Sequence, residues 1–183
     1  MSHFLKLPMT GISLALWRWC CALLLVMAIA FGGNVLTAHA NPITPHPMLA
    51  ALFHFSGKRP TNLGVHNNQL LPCPDSPNCV STSSTDKEHA IAPLSLNGSA
   101  AETFQKLKAV VAAQPRAQII EATDTYIYAE FTSALMGYVD DVEFYLDETA
   151  GNIQVRSASR LGKSDLGVNR QRIEAIRSAL ASA

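Results

Sequence analysis

The sequence carries no excess of either charge: 14 Lys+Arg stand against 14 Asp+Glu, and charged residues make up 15% of the chain. Such a balance supplies no electrostatic drive toward nucleic acid, and no nucleic-acid partner is expected. Histidine is absent after His89, and His46, His54, His66 and His89 form no H-x-x-x-H pair, so no metal site is expected from them. There is no G-x-x-x-x-G-K-[ST] loop, no G-x-S-x-G elbow, no internal repeat and no low-complexity tract. These absences remove the phosphate-cradling loop and the serine-hydrolase elbow, and nothing left calls for a cofactor.

Acidic residues are also missing from the first 40 positions, which hold Lys6, Arg18 and the apolar run CALLLVMAIAF, followed by Thr37-Ala38-His39-Ala40. The order of charge, apolar core and A-x-A is that of a secretory signal peptide cleaved before Asn41. The alternative is an uncleaved membrane anchor over residues 17–38, which is nearly long enough to span a bilayer. Arg18 and Asn34 bound the apolar core and favour the shorter reading. No twin-arginine pair occurs, and neither Cys20 nor Cys21 is placed for lipid attachment. Without Lys6 and Arg18 the remaining chain has 12 basic residues against 14 acidic, and it is long enough for one compact domain. The expected organisation is a leader over residues 1–40, a linker with a short apolar segment (HPMLAALFHF) over residues 41–64, and a single domain over residues 65–183. Export points to the periplasm, or to the thylakoid lumen for a photosynthetic source; any membrane contact is through the uncleaved leader.

Two cysteines remain after the leader, in LLPCPDSPNCVS. In an oxidising compartment the pair Cys73 and Cys79 reads as a disulfide. Metal ligation competes, although C-x5-C is not a zinc-finger spacing and His66 and His89 are the nearby histidines. Up to about Thr85 the chain is rich in Pro, Asn and Ser without periodicity. A loop that long is either a strap over the domain, pinned by the disulfide, or a functional surface.

Regular structure starts at Ser99. Ser99-Ala100-Ala101-Glu102 is a capping box, Phe104, Leu107 and Val111 follow at helical spacing, and Gln114-Pro115 ends the run. QIIEA, YIYAEFTS, YVDDVEFYL and NIQVRSAS then form four β-rich runs separated by short turns. A last helix carries Leu166, Ile173, Ile176 and Leu180 on one stripe. The expected fold is α+β: a four-stranded antiparallel meander with two helices on one face, in the order α-β-β-β-β-α, preceded by the long disulfide-pinned loop.

Strand alternation sorts the charges. Asp140 shares the apolar side with Val142, Phe144 and Leu146, whereas Asp141 and Glu143 point to the other side with Tyr145. Adjacent Asp140 and Asp141 therefore make no carboxylate dyad without a bulge. In the next strand Arg156, Ala158 and Arg160 share a side opposite Ile153, Val155 and Ser157. A hairpin that puts Phe144 opposite Val155 sets Glu143 against Arg156, and a two-residue slip sets Asp141 against Arg160; either register gathers two acids and two arginines on one sheet surface. If exposed, such pairs contribute only ~0–1 kcal/mol each. Asp140, on the apolar side, needs partners, and the expectation is that it ties the last helix to the sheet through its N-terminal N–H groups, a Ser164 or Asp165 cap, or the donors of Asn169 and Arg170. A competing reading makes Gly162, Lys163, Gly167, Arg170 and the helix start an anion site.

RPTNLG, LPCPDSPNCVS, YVDDVEF and VRSASRLGKSDLGVNRQRIEAIR, in this order over the last 125 or so residues, resemble domain of unknown function family 1499. The resemblance marks Cys73, Cys79, Asp140, Asp141, Arg156, Ser157, Ser159, Arg160, Gly162, Asp165, Gly167, Asn169 and Arg170. Tyr138 stands where the family often has Phe, and Thr82 where it often has Ser. Family members are small, often exported or membrane-associated, and carry no established activity. The functional expectation is a non-catalytic binding or assembly module with a protein or small anionic partner, and with Asp141, Glu143, Arg156, Arg160, Lys163 and Arg170 as ligand-binding candidates. The alternative is a hydrolase-like enzyme acting on an anionic substrate at the same Asp/Glu/Arg surface.

Overall fold

The computed structural model describes residues 53–183. The leader, its reading as an anchor and linker residues 41–52 lie outside the described residues. Among the described residues no helix is long and apolar enough to cross a membrane.

The elements run β1 (Cys79–Ser81), β2 (Leu94–Ser95), α1 (Ala100–Ala112), β3 (Ala117–Ala122), β4 (Tyr126–Thr132), β5 (Val139–Asp147), β6 (Asn152–Ser159) and α2 (Val168–Ala181). From β3 to β6 each strand pairs antiparallel with the next, which is the expected meander. The sheet has six strands, however, rather than four. β1, inside the stretch read as loop, and β2, in the unassigned stretch before Ser99, pair antiparallel with β6. They are three and two residues long, too short to show alternation, and they form because the outer edge of β6 offers N–H and C=O groups that need partners.

Ser99 caps α1, accepting from the N–H of Glu102 at 3.3 Å, and the helix stops at Ala112, ahead of Pro115. Ile127, Phe144 and Val155 stand opposite one another across β4, β5 and β6. They form one core with Phe104, Leu107 and Val111 of α1 and with Ile173, Ile176 and Leu180 of α2. Both helices thus cover one face. Leu166 does not join the stripe: it precedes the helix, has φ +55° and is exposed, and Asn169 takes the first buried position instead.

The other face is covered by the chain before β1. Phe53 and Phe55 donate N–H to the carbonyls of Leu135 and Met136. Leu63 and Leu70 pack on Tyr126, Tyr128 and Tyr145, and Gln154 exchanges hydrogen bonds with Leu70 and Asn68. This segment is the expected strap. It returns to the sheet through the Cys73–Cys79 disulfide, whose second cysteine opens β1. Closing so short a loop restricts the unfolded chain by about 2–2.5 kcal/mol. A Cys73→Ser, Cys79→Ser double variant should lose stability of that order in urea titration, and an unchanged midpoint would show that the strap holds without its covalent pin.

A second pin is His89, which is buried. Burial alone would lower its pKa, but hydrogen bonds to the Asp86 carboxylate (Nδ1 to Oδ1, 2.8 Å) and the Ser76 carbonyl (Nε2 to O, 3.2 Å) outweigh it and raise the pKa above 6.5. With acceptors at both ring nitrogens the imidazolium donates twice. A raised folded-state pKa stabilises the fold fully below the unfolded value, and the contribution is lost as pH rises through the folded one. Unfolding midpoints should therefore decline as pH rises above the ordinary histidine value of 6.5, and His89→Gln should flatten the decline.

Candidate functional site

The strap seals a charged layer between itself and the sheet. Glu143 stands opposite Arg156 and Phe144 opposite Val155, the first of the two expected registers. Asp141 and Arg160 then meet on the diagonal. Asp141 is 1% exposed and Glu143 0%, so these are not surface pairs, and the small contribution expected of exposed ones does not apply. The reason is the strap, which removes water from a face that alternation alone leaves solvated.

Arg160 is held on every side. Its Nε donates to both Asp141 oxygens at 3.1 and 2.9 Å, and one Nη donates to Asp141 at 2.7 Å, to the Tyr128 hydroxyl at 3.0 Å and to Glu130. Tyr128 donates to Asp141 or Glu130, at 2.5 and 2.9 Å, while Arg59 of the strap donates to Glu130 at 2.5 Å. Glu143 takes the Tyr126 hydroxyl at 2.9 Å and the Gly64 N–H at 2.7 Å on one oxygen. Gly64 has φ +113°, a conformation that L side chains rarely adopt, and this lets the strap aim its N–H at the carboxylate.

Burial first, and then the adjacent Glu143 and Asp141 carboxylates, push the Tyr126 and Tyr128 phenols well above their ordinary value of 10. Burial opposes ionisation of Glu130, but the bonds from Arg59, Arg160 and Tyr128 prevail and hold its carboxyl below 4.5. Hydrogen bonding to Asp141 raises the Arg160 guanidinium still further above its ordinary value. The tyrosines therefore stay protonated donors, and Glu130 stays an ionised acceptor, near neutral pH.

Arg156 differs from Arg160. Its side chain is 11% exposed, it reaches Glu143 through one Nη at 3.4 Å, and its buried Nε has no hydrogen-bond partner. A guanidinium has five N–H donors, so most of this one is uncommitted. It lines a cavity of about 270 Å³ with Lys58 of the strap, Ser76 and Asn78 of the disulfide loop, and Arg160 and Asp141. Arg160 and Asp141 satisfy each other there and Glu143 pairs with Arg156, which leaves Lys58 without a carboxylate partner among the described residues and Arg156 with donors that Glu143 does not take.

The remaining expected residues lie elsewhere. Asp140 does tie α2 to the sheet, but through Arg172, whose Nη donates to it at 2.5 Å, and not through Asn169 or Arg170. Asn169 instead bonds Ser157, Ser159 and the Asn78 carbonyl, and Arg170 donates to the carbonyls of Glu88 and Ala90. Asp165 accepts the N–H groups of Gly167 and Asn169 at 3.0 and 2.7 Å, with Ser164 accepting from Leu166. The α2 N-terminus is thereby filled by the protein's own carboxylate. Lys163 is exposed and lies outside the cavity lining.

Tyr126, Tyr128, Glu130, Arg59, Lys58 and Arg172 are additions to the sequence-derived set. Tyr126, Tyr128 and Glu130 alternate along YIYAEFT, so they share the face of Asp141 and Glu143, and that signal was available. Arg172 lies one helical turn before Ile176, which also places it toward the sheet. Arg59 and Lys58 sit in aperiodic chain and carry no such signal. The family model described as "Protein of unknown function (DUF1499)" matches residues 69–180. No curated protein matches the chain.

Proposed function

Starting from the fact that the chain belongs to this family of proteins of unknown function (DUF1499), a membership that assigns no reaction, we propose an exported, non-catalytic module that binds a small anion at Arg156. The observation that carries this reading is the buried Nε of Arg156, which lacks a partner beside a cavity that Lys58 also lines. An anionic oxygen there would complete the guanidinium's donors, and bidentate pairing suits carboxylate or phosphate. Export is supported by the leader-like order of residues 1–40 and by a paired Cys73–Cys79. Anchoring by residues 17–38 is the alternative, and fractionation of the expressed protein separates the two.

A hydrolase at the same layer would need an unengaged base or nucleophile. Asp141 and Glu143 are both engaged, by Arg160 and Tyr128 and by Gly64 and Tyr126 respectively. Binding without turnover is therefore favoured. Inorganic phosphate or acetate, titrated at fixed ionic strength, should raise the melting temperature. A ligand at 100 times its Kd adds roughly 2.7 kcal/mol. Arg156→Gln should abolish the rise while keeping the native circular dichroism spectrum. An equal rise in the variant would overturn the site, and steady hydrolysis of p-nitrophenyl phosphate by the native protein that Arg156→Gln loses would replace the binding reading with the enzymatic one.

A further inference from the structure

A second cavity of about 420 Å³ lies beside the first, and the two share Ser159 and Gly162 at the end of β6. Its walls are of another kind: Phe55, Tyr138, Leu161 and Val168 line it, with Asp140 and Asp165 among its polar groups and, among the described residues, no lysine, arginine or histidine. Those four apolar residues are each 43–45% exposed, an unusual amount of large apolar surface to leave in water at one spot. The Phe55 and Tyr138 rings lie 5.8 Å apart, so the aromatic wall is preformed.

Two short segments build both cavities. On the strap, Phe55 lines the apolar cavity and Lys58 the basic one. After β6, Arg160 lines the basic cavity and Leu161 the apolar one. The segments touch at Gly57, where a Cβ would sit 3.0 Å from the Leu161 side chain and 3.2 Å from Arg160, and where φ is +65°. Each segment therefore presents charge on one side and apolar surface on the other, across a ridge too tight for a side chain at position 57.

From this adjacency, and resting on the anion reading of Arg156 above, we infer that the ligand is an amphiphile: an anionic head on Arg156 and Lys58, with an alkyl or aryl tail laid over Phe55, Tyr138, Leu161 and Val168. Charge sets the orientation. The carboxylate of Asp165, which has no cationic partner among the described residues, disfavours an anionic head in the apolar cavity, and the basic cavity offers a tail only Pro60, Pro74 and Ala158 as apolar wall. Asp140 already has its cation in Arg172 and Asp165 has two backbone N–H groups, so neither requires a cationic ligand.

The test is a chain-length series with two head groups, run by calorimetry below the micelle concentration: butyl and octyl phosphate, and butanoate and octanoate. Burial of apolar surface makes the octyl member at least ~10-fold tighter than the butyl member. Which head binds more tightly identifies a phosphate or a carboxylate ligand. Leu161→Ser, or Tyr138→Ser should the first variant misfold, is expected to bring the octyl-to-butyl ratio toward 1, and Arg156→Gln to abolish binding of all four. Affinity independent of chain length, with inorganic phosphate still bound through Arg156, would overturn the amphiphile and leave the anion site standing. Octyl binding that survives Arg156→Gln would overturn it too. If Leu161→Ser instead abolished a concentration-dependent dimer and left the ratio unchanged, the apolar cavity would be a contact between copies, and the inference would fall.

Discussion

Arg160→Ala should be the most damaging single change in the charged layer, lowering unfolding free energy by roughly 3–5 kcal/mol, because it strands buried carboxylates whose charge Arg160 now answers. Asp141 and Glu130 would compete for the single Tyr128 hydroxyl proton, and of the two only Glu130 would keep a cation, the half-exposed Arg59. For a domain of this size the loss corresponds to a melting temperature lower by roughly 10–20 °C. The mechanism makes a second demand. Replacing Arg160, Asp141 and Glu130 together by apolar residues of similar volume should recover much of the loss, since the cost lies in unpaired charge rather than in missing attraction. Thermal and urea unfolding of the single and triple variants check both points. A loss below about 1 kcal/mol for Arg160→Ala would mean that water reaches the layer and that the strap does not seal it. Arg156→Gln also removes the cation paired with a buried carboxylate, Glu143, but it should cost less than Arg160→Ala, because the bond lost is long and Glu143 keeps the Tyr126 hydroxyl and the Gly64 N–H. Two arginines two alternations apart thus differ in engagement: Arg160 braces, and Arg156 keeps donors to spare.

Asn169→Ala should be the second large loss, roughly 2–4 kcal/mol, through orphaned polar groups and a small cavity at the α2–β6 contact. Asn169 is fully buried and joins three segments: its oxygen accepts from Ser157 at 2.5 Å and from Arg172 at 2.6 Å, and its amide donates to Ser159 at 2.9 Å and to the Asn78 carbonyl at 3.1 Å. Asn169→Asp keeps the acceptor, loses both donors and adds a second negative charge near Asp140, so it should not restore stability. Equal urea midpoints for native protein and Asn169→Ala would show that this junction contributes nothing net. The same variant also tests the route from helix to disulfide loop, since Asn78 precedes Cys79 and donates to the Gly162 carbonyl at 2.9 Å.

Several of these relations were legible before any coordinates. The alternation in YVDDVEFYL and NIQVRSAS sorted Asp141, Glu143, Arg156 and Arg160 to one face, and a short turn limited the register to two choices. The helix at Ser99 announced itself by its cap. What escaped was where water goes. Strand alternation labels a charged face as solvent-facing, and only contacts from residues 53–78, which have no period, turn it into an interior. β1 and β2 escaped for a related reason: strands of two and three residues are defined by the edge they pair with and not by their own composition. The partner of Asp140 was misassigned by helical phase. One residue along a helix rotates a side chain by about 100°, and the left-handed turn at Leu166 and Gly167 starts α2 late enough that Asn169 takes the core stripe while Arg172 meets Asp140.

Local chemistry written along the chain therefore determined the antiparallel meander, its two helices, the facing of acids against arginines and the pairing of two close cysteines, because those depend on neighbours in sequence or one turn away. The tertiary structure alone decided which arginine is answered and which is left open. That outcome depends on how many acceptors the strap and the adjacent strand bring within about 3 Å of each guanidinium, a distance that no spacing in the sequence encodes.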